Sequence, residues 1–260
     1  MSTNEEQILS GGNINTVVRV GDTVRRSTRP QSATIHDYLC HLERKNVPAP
    51  RFLGIDENQR EILSFIEGET EFPSDMWDNV DALTESATLL RKLHDVSVGF
   101  ATLDPANWVY RHPDTERREV ICHNDFAPYN MVFRNGVPVS ILDFELCGPG
   151  PRVRDLAYLA YWMVPLSFAP GELHEASEKD ANSNSPRLRL LCRTYGGQSP
   201  QDVLMMVSKV LHHMSDETAI TKMVGAEAAG RLIAEGHLDH WRQEAEAFDK
   251  RVEGLLGNVV

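Results

Sequence analysis

Three oxygen-bearing side chains, Asp125, Asn130 and Asp143, stand in a stretch, residues 120–145, whose pattern brings them together. Two apolar runs, Met131–Phe133 and Val139–Leu142, flank an Asn135-Gly136 pair, and Asn-Gly between such runs is a strong hairpin signal. Pairing the runs sets Asn130, just before the first strand, beside Asp143, just after the second. An amide oxygen and a carboxylate converging at one end of a hairpin suit a hard cation such as Mg²⁺. Asp125 lies on the preceding loop, which Pro128 kinks toward the same point. A carboxylate next to such a site can orient an attacking hydroxyl and accept its proton.

The flanking sequence predicts the elements that hold this stretch. Residues 7–10, 16–20 and 23–27 read as strands, with Gly21-Asp22 as a turn between β-branched runs. Ile35, Tyr38, Leu39 and Leu42 recur at helical spacing over 33–45, and Asn46, Pro48 and Pro50 stop that helix. Strands follow at 51–55 and 61–66. After Glu67-Gly68-Glu69 the pattern changes to amphipathic helices over 79–96, 186–195, 200–215 and 225–256, with 169–185 as a mobile connection. The expected architecture is α+β, a small antiparallel sheet over 1–66 followed by a larger, mainly helical part over 67–260.

The 260 residues are 41% hydrophobic and 25% charged, which excludes a disordered, collagen-like or disulfide-scaffold protein. The net charge is −12 without a basic run, so nucleic acid is not an expected partner. Residues 1–70 hold 8 basic and 10 acidic side chains, so most of the excess falls on the C-terminal part, where it serves solubility or accommodates a cationic small molecule. Cys40, Cys122, Cys147 and Cys192 lie far apart with no zinc spacing and read as reduced core thiols of a cytoplasmic protein. No stretch approaches the ~18 apolar residues of a membrane helix, and no export signal is read at the N-terminus.

The spacing His-x-Asp-x-x-x-x-Asn over His123–Asn130, with Asp143-Phe144-Glu145 downstream, is the layout of a kinase catalytic loop and its metal-binding aspartate. Together with Gly148-Pro149-Gly150-Pro151-Arg152-Val153-Arg154-Asp155-Leu156-Ala157, it resembles the aminoglycoside phosphotransferase family of the protein-kinase-like superfamily. The resemblance covers about the whole chain. It implies a bilobal kinase-like fold and transfer of the γ-phosphate of ATP, with Mg²⁺, to a hydroxyl of a small molecule. Asp125 would be the catalytic base, and Asn130 and Asp143 would hold the metal. His123 would tie the catalytic loop to the strand ending at Asp143, and Asp155 would anchor the loop from inside the C-terminal part.

On the nucleotide side, Gly11, Gly12 and Asn13 occupy the place of a phosphate-covering loop, although they do not match G-x-G-x-x-G. Protein kinases carry a lysine on the third strand; here the candidates are Arg25 first and Arg26 second, with strand phase deciding. Arginine keeps the charge and offers a planar fork to phosphate oxygens. The helix that should supply a paired glutamate offers His36 or Asp37, and Glu43 lies two turns too late. Ser64, Phe65 and Ile66 fall at the hinge, where backbone groups and a flat apolar side chain meet adenine. His212 and His213 face different directions and make poor co-ligands, Met205 and Met206 read as core, Trp162 reads as core or as a substrate contact, and His237, Asp239, His240, Trp241 and Glu244 share one late helix. The missing lysine and glutamate keep a second expectation alive, a kinase-shaped binding or immunity protein without chemistry. An enzyme using GTP is a third.

Overall fold

The computed structural model describes residues 6–9, 17–100 and 107–259. Five short strands, β1 (Gln7–Leu9), β2 (Val17–Val20), β3 (Thr23–Ser27), β4 (Phe52–Ile55) and β5 (Arg60–Ser64), form one antiparallel sheet in the order β1-β2-β3-β5-β4. Helix α1 (Ser32–Arg44) packs on it through Ile35, Tyr38, Leu39 and Leu42, all buried, and the His36 ring stacks on Phe52 at 3.8 Å. Asn46, at φ 53°, then turns the chain out of the helix toward Pro48.

Helix α2 (Val80–Ser97) begins where the Asn79 side chain accepts a hydrogen bond from the Ala82 amide, and it buries Leu83, Ala87, Leu90 and Leu93 completely. Each such leucine contributes about 1.5–3 kcal/mol by leaving water. Strand β6 (Val120–Cys122) pairs with β9 (Gly148–Gly150), and the predicted hairpin forms between β7 (Met131–Arg134) and β8 (Val137–Ile141). Its Asn135 and Gly136 have φ of 53° and 74°, the positive values that a tight two-residue turn needs.

The remainder is helical: α3 (Arg152–Met163), α4 (His174–Asn182), α5 (Pro186–Tyr195), α6 (Pro200–Met214), α7 (Glu217–Val224), α8 (Ala226–Ala234) and α9 (His237–Val259). One buried apolar cluster runs from Tyr38 and Leu63 through α2 and the hairpin into α3, α5, α6 and α9. The architecture is the expected α+β one, with differences inside it. The span 169–185 contains α4 rather than an unstructured connection. The single helix expected over 225–256 is split at Gly236, whose φ is 82°. Helix α3 carries no amphipathic signal because nearly all of it is buried, its Arg154 and Asp155 included. Among the described residues no helix is long and apolar enough to cross a membrane, and no cysteine is paired.

The sheet is tied to the hairpin by backbone. Glu69 exchanges amide hydrogen bonds with Phe133 at 2.9 and 2.7 Å, and the Ile141 amide donates to the Pro48 carbonyl. Gly68, at φ 152°, makes this approach possible: a Cβ there would lie 2.4 Å from Val132 Cγ1 and 2.6 Å from the Phe133 oxygen. Gly68→Ala should therefore destabilise the fold by about 2 kcal/mol or more, read as a lowered urea midpoint; a midpoint equal to that of the wild type would show that the crossing is slack.

Candidate active site

The loop from His123 to Asn130 hangs on one buried carboxylate. Asp155, in the first turn of α3, accepts the His123 amide at 2.6 Å, the Asn124 amide at 2.9 Å and His94 Nε2 at 3.0 Å. Burial alone would push its carboxyl up, but these donors outweigh it and hold the group below the usual aspartate range. Asn124 takes φ 65° and fixes the turn with both ends of its amide: Nδ2 donates to the Leu146 carbonyl and Oδ1 accepts from Arg154 Nε. His123 donates through Nε2 to the Leu142 carbonyl at 2.9 Å, one residue before Asp143. His94, Cys122 and Asp155 sit close enough to suggest a metal cluster, yet each is engaged. His94 bonds Tyr195 and Asp155, and the Cys122 thiol, pushed up by burial, donates to the Pro151 carbonyl.

Asp125, Asn130 and Asp143 meet at one end of the hairpin. Leu142 donates its amide to the Asn130 carbonyl at 2.7 Å, locking the two strand ends together. The Asn130 side chain donates through Nδ2 to Asp125 Oδ2 at 2.8 Å, and Tyr129 donates its hydroxyl to Asp125 Oδ1. Asp125 is raised above the ordinary aspartate value, chiefly by burial and partly by the charge of Asp143, with the Tyr129 hydrogen bond opposing. Asp143 sits at φ 56° with its side chain 47% exposed, and its Oδ1 accepts from Arg26 Nη1 at 2.9 Å.

Strand phase turns the two arginines to opposite faces, and it is the second candidate, Arg26, that meets Asp143. Arg25 points away from the hairpin, toward Thr23 and Asp56, whereas Arg26 reaches Asp143. Arg26 is also paired in register with Glu61 on β5, and the two side chains are ion-paired. Glu145 approaches the same guanidinium at 3.2 Å and Arg29 at 2.8 Å. The acid expected on α1 is thus supplied by the sheet; α1 supplies His36, whose Nε2 meets Glu61 Oε2 at 2.5 Å. Asp37, the other residue weighed for that place, is exposed.

At the hinge, Ser64 exchanges hydrogen bonds with the Arg51 backbone, and the Phe65 amide donates to the Asp22 carbonyl at 2.9 Å. Arg19 lies 3.6 Å over the Phe65 ring and pairs with Glu67, so one face of that ring already carries a cation. Ile66 is half-buried. A cavity of about 640 Å³ opens beside Val47, Pro48, Phe65, Ile66 and Arg134, and none of Asp125, Asn130 or Asp143 lines it. Gly11, Gly12 and Asn13 lie outside the described residues.

Beyond Asp125 stands an aromatic wall. Tyr129 and Tyr158 share a hydroxyl contact of 2.8 Å, Trp162 meets the Tyr129 ring edge-on at 5.4 Å, and Tyr161 and Trp241 continue the cluster. Buried Glu244 closes it, accepting from Ser167 Oγ at 2.9 Å. His212 pairs instead with Asp249, and His213 sits against Tyr110. Met206 is buried, but its neighbour Met205 is half exposed.

A family model described as the phosphotransferase enzyme family, APH, matches residues 101–191. A trifolitoxin immunity protein of Rhizobium leguminosarum bv. trifolii is 33% identical over 198 residues, 74% of this chain and 75% of that protein. The chain belongs to the APH phosphotransferase family. Its fold is shared with aminoglycoside phosphotransferases and with choline and ethanolamine kinases. The gentamicin complex of APH(2'')-IIa superposes with a TM-score of 0.61 at 17% identity, over 94% of this chain and 93% of that one. An ethanolamine kinase of Plasmodium vivax superposes with a TM-score of 0.61 at 13% identity, over 98% and 83%.

Within this APH-family chain, sequence reasoning missed Glu61, Glu145, Tyr129 and Arg19. Glu61 carries a readable signal: alternation along β5 puts it on the same face as Leu63, and a charge on a core-facing position calls for a buried partner. Arg19 follows from the same register logic, since β2 pairs with β3 and sets Arg19 opposite Val24, on the Arg26 face. Tyr129 had no such signal, because nothing local directs a loop phenol toward Asp125.

Asp155 also generates a stability test. A carboxylate held below its ordinary value contributes stability above 3.8 that is lost as pH falls through its lower folded value. Asp155→Asn should therefore cost about 3–5 kcal/mol at neutral pH, and the gap to wild type in urea unfolding should narrow below pH 3.8; a gap independent of pH would mean that Asp155 is not ionised in the folded chain.

Proposed function

We infer that the chain is an ATP- and Mg²⁺-dependent phosphotransferase that moves the γ-phosphoryl group to a hydroxyl of a small molecule. The observation that carries this reading is the convergence of Asp125, Asn130 and Asp143 at one hairpin end with Arg26 reaching across from the sheet. Residues 1–66 would form the nucleotide lobe and 67–260 the lobe of the catalytic loop and acceptor.

The donor set fits a hard cation. Asn130 turns its Nδ2 to Asp125, leaving the amide oxygen for a ligand, and Asp143 is half exposed with Oδ1 on Arg26. Asn130 and Asp143 would hold Mg²⁺, which when bound neutralises charge on the phosphates. Arg26, oriented by Glu61 and His36, would clamp phosphate oxygens. Gly11, Gly12 and Asn13 would cover the phosphates, and Ser64, Phe65 and Ile66 would meet the base, with ATP the expected nucleotide. Asp125 would align the acceptor hydroxyl and take its proton, with His123 and Asp155 fixing its loop.

The acceptor side would be bounded by half-exposed Tyr129 and the partly buried Trp162 beside it, aromatic side chains that suit a cationic hydroxyl compound. The acidic excess supports this less than expected, since Glu178, Glu227, Asp239 and Asp249 are engaged in ion pairs away from Asp125 and bear on solubility.

A second reading rests on the immunity protein among the relatives: protection against a toxin, by binding without chemistry. A screen of aminoglycosides, choline-like alcohols, sugars and amino alcohols, read by ADP release, separates the two. Phosphotransfer predicts turnover with some acceptor and a fall of about 10²–10⁴-fold in Asp125→Asn with ATP binding retained. Near-wild-type turnover in that variant would sink the assignment, and absence of ADP with every acceptor would favour the binding reading.

A further inference from the structure

The hydroxyl of Tyr129 sits on Asp125 Oδ1, an oxygen to which an acceptor hydroxyl would donate. Asp125 offers two carboxylate oxygens: Oδ2 accepts from Asn130, and Oδ1 accepts from the Tyr129 phenol. The phenol is held there from two sides. Its oxygen contacts Tyr158 Oη at 2.8 Å, and its ring meets Trp162 edge-on at 5.4 Å. Tyr129 is nonetheless 38% exposed as a residue, while its hydroxyl is enclosed between Asp125 and Tyr158. On the other side of Asp125 stand Asn130, which touches it, and Asp143, whose charge it senses. The result is an ordered hydroxyl, hydrogen-bonded to the base, beside the end of the hairpin where the phosphates would lie.

We propose that Tyr129 is the chain's own phosphoryl acceptor, modified in cis when a nucleoside triphosphate binds without an external acceptor. The inference rests on the phosphotransferase reading above. Tyr129 Oη attacks the γ-phosphorus, forming a new oxygen–phosphorus bond as the bond from the γ-phosphorus to the β–γ bridging oxygen breaks. The phenolic proton passes to Asp125 and then to water, and the nucleoside diphosphate leaves. No oxidant or second reactant is needed. The phosphorylated ring would place a dianion against the Asp125 carboxylate, closing the base to any other hydroxyl, so the reaction is limited to one turnover per chain. An external acceptor would compete by displacing the phenol from Oδ1.

The test incubates the full-length chain with radiolabelled ATP and Mg²⁺ alone and maps the label by peptide mass spectrometry. The expected result is about one phosphoryl group per chain on Tyr129, formed at a first-order rate that does not change with protein concentration. Asp125→Asn should slow labelling by about 10²–10⁴-fold. Tyr129→Phe, which keeps the ring and its packing, should take no label while melting cooperatively and binding ATP. Label on another residue, label surviving in Tyr129→Phe, or a rate that rises with protein concentration would overturn the proposal. An unlabelled Tyr129 in a chain that still releases ADP would overturn it too, leaving the phosphotransferase reading intact. A result with neither label nor ADP would overturn the proposal as well, and the acceptor screen above then decides the phosphotransferase reading separately.

Discussion

Arg26 is a guanidinium taken out of water, and such a charge is tolerated only where carboxylates come to it. Burying an ion costs several kcal/mol, and here Glu61, Asp143 and Glu145 offset that cost from two places in the chain. Glu61 belongs to the neighbouring strand, whereas Asp143 and Glu145 belong to the far side of the cleft. The sheet and the hairpin end therefore meet around this one cation. Because Glu61 also meets His36, helix α1 is drawn into the same set. Removing Glu61 would take away the partner that Arg26 and His36 share.

A second buried charge works from the opposite direction. Asp155 holds the backbone of His123 and Asn124, while Asn124 and His123 reach on to Leu146 and Leu142. Both of these carbonyls flank Asp143 within the chain. The loop bearing Asp125 and the strand end bearing Asp143 thus share supports, and Arg26 approaches a site already set by α3. Rigidity at this point matters because phosphoryl transfer is governed by positioning and electrostatics.

How far the chain could be read in advance depends on whether the deciding interaction is local. The hairpin was legible because Asn135-Gly136 encodes its own turn, and with it the meeting of Asn130 and Asp143. The five strands were legible from β-branched runs and the turns between them, and α1 by its period. The choice between Arg25 and Arg26 was not, since adjacent strand residues look alike until a cross-strand partner fixes the phase, and that partner is Glu61, on a strand far along the chain. Helix α3 was hidden because burial on nearly every side erases amphipathic period. Tyr129 was hidden for the same non-local reason: its partners Tyr158 and Trp162 arrive only when α3 packs beside the loop.

The central claim is that Arg26, rather than Arg25, faces the phosphates at a metal-dependent nucleotide site. Titration calorimetry of ATP with Mg²⁺ and with a chelator, on wild type, Arg26→Gln and Arg25→Gln, tests it most directly. The account predicts binding that requires Mg²⁺, weakened about tenfold or more in folded Arg26→Gln by loss of charge-assisted hydrogen bonds, and little changed in Arg25→Gln. Binding indifferent to the metal, or a greater loss in Arg25→Gln than in Arg26→Gln, would contradict it.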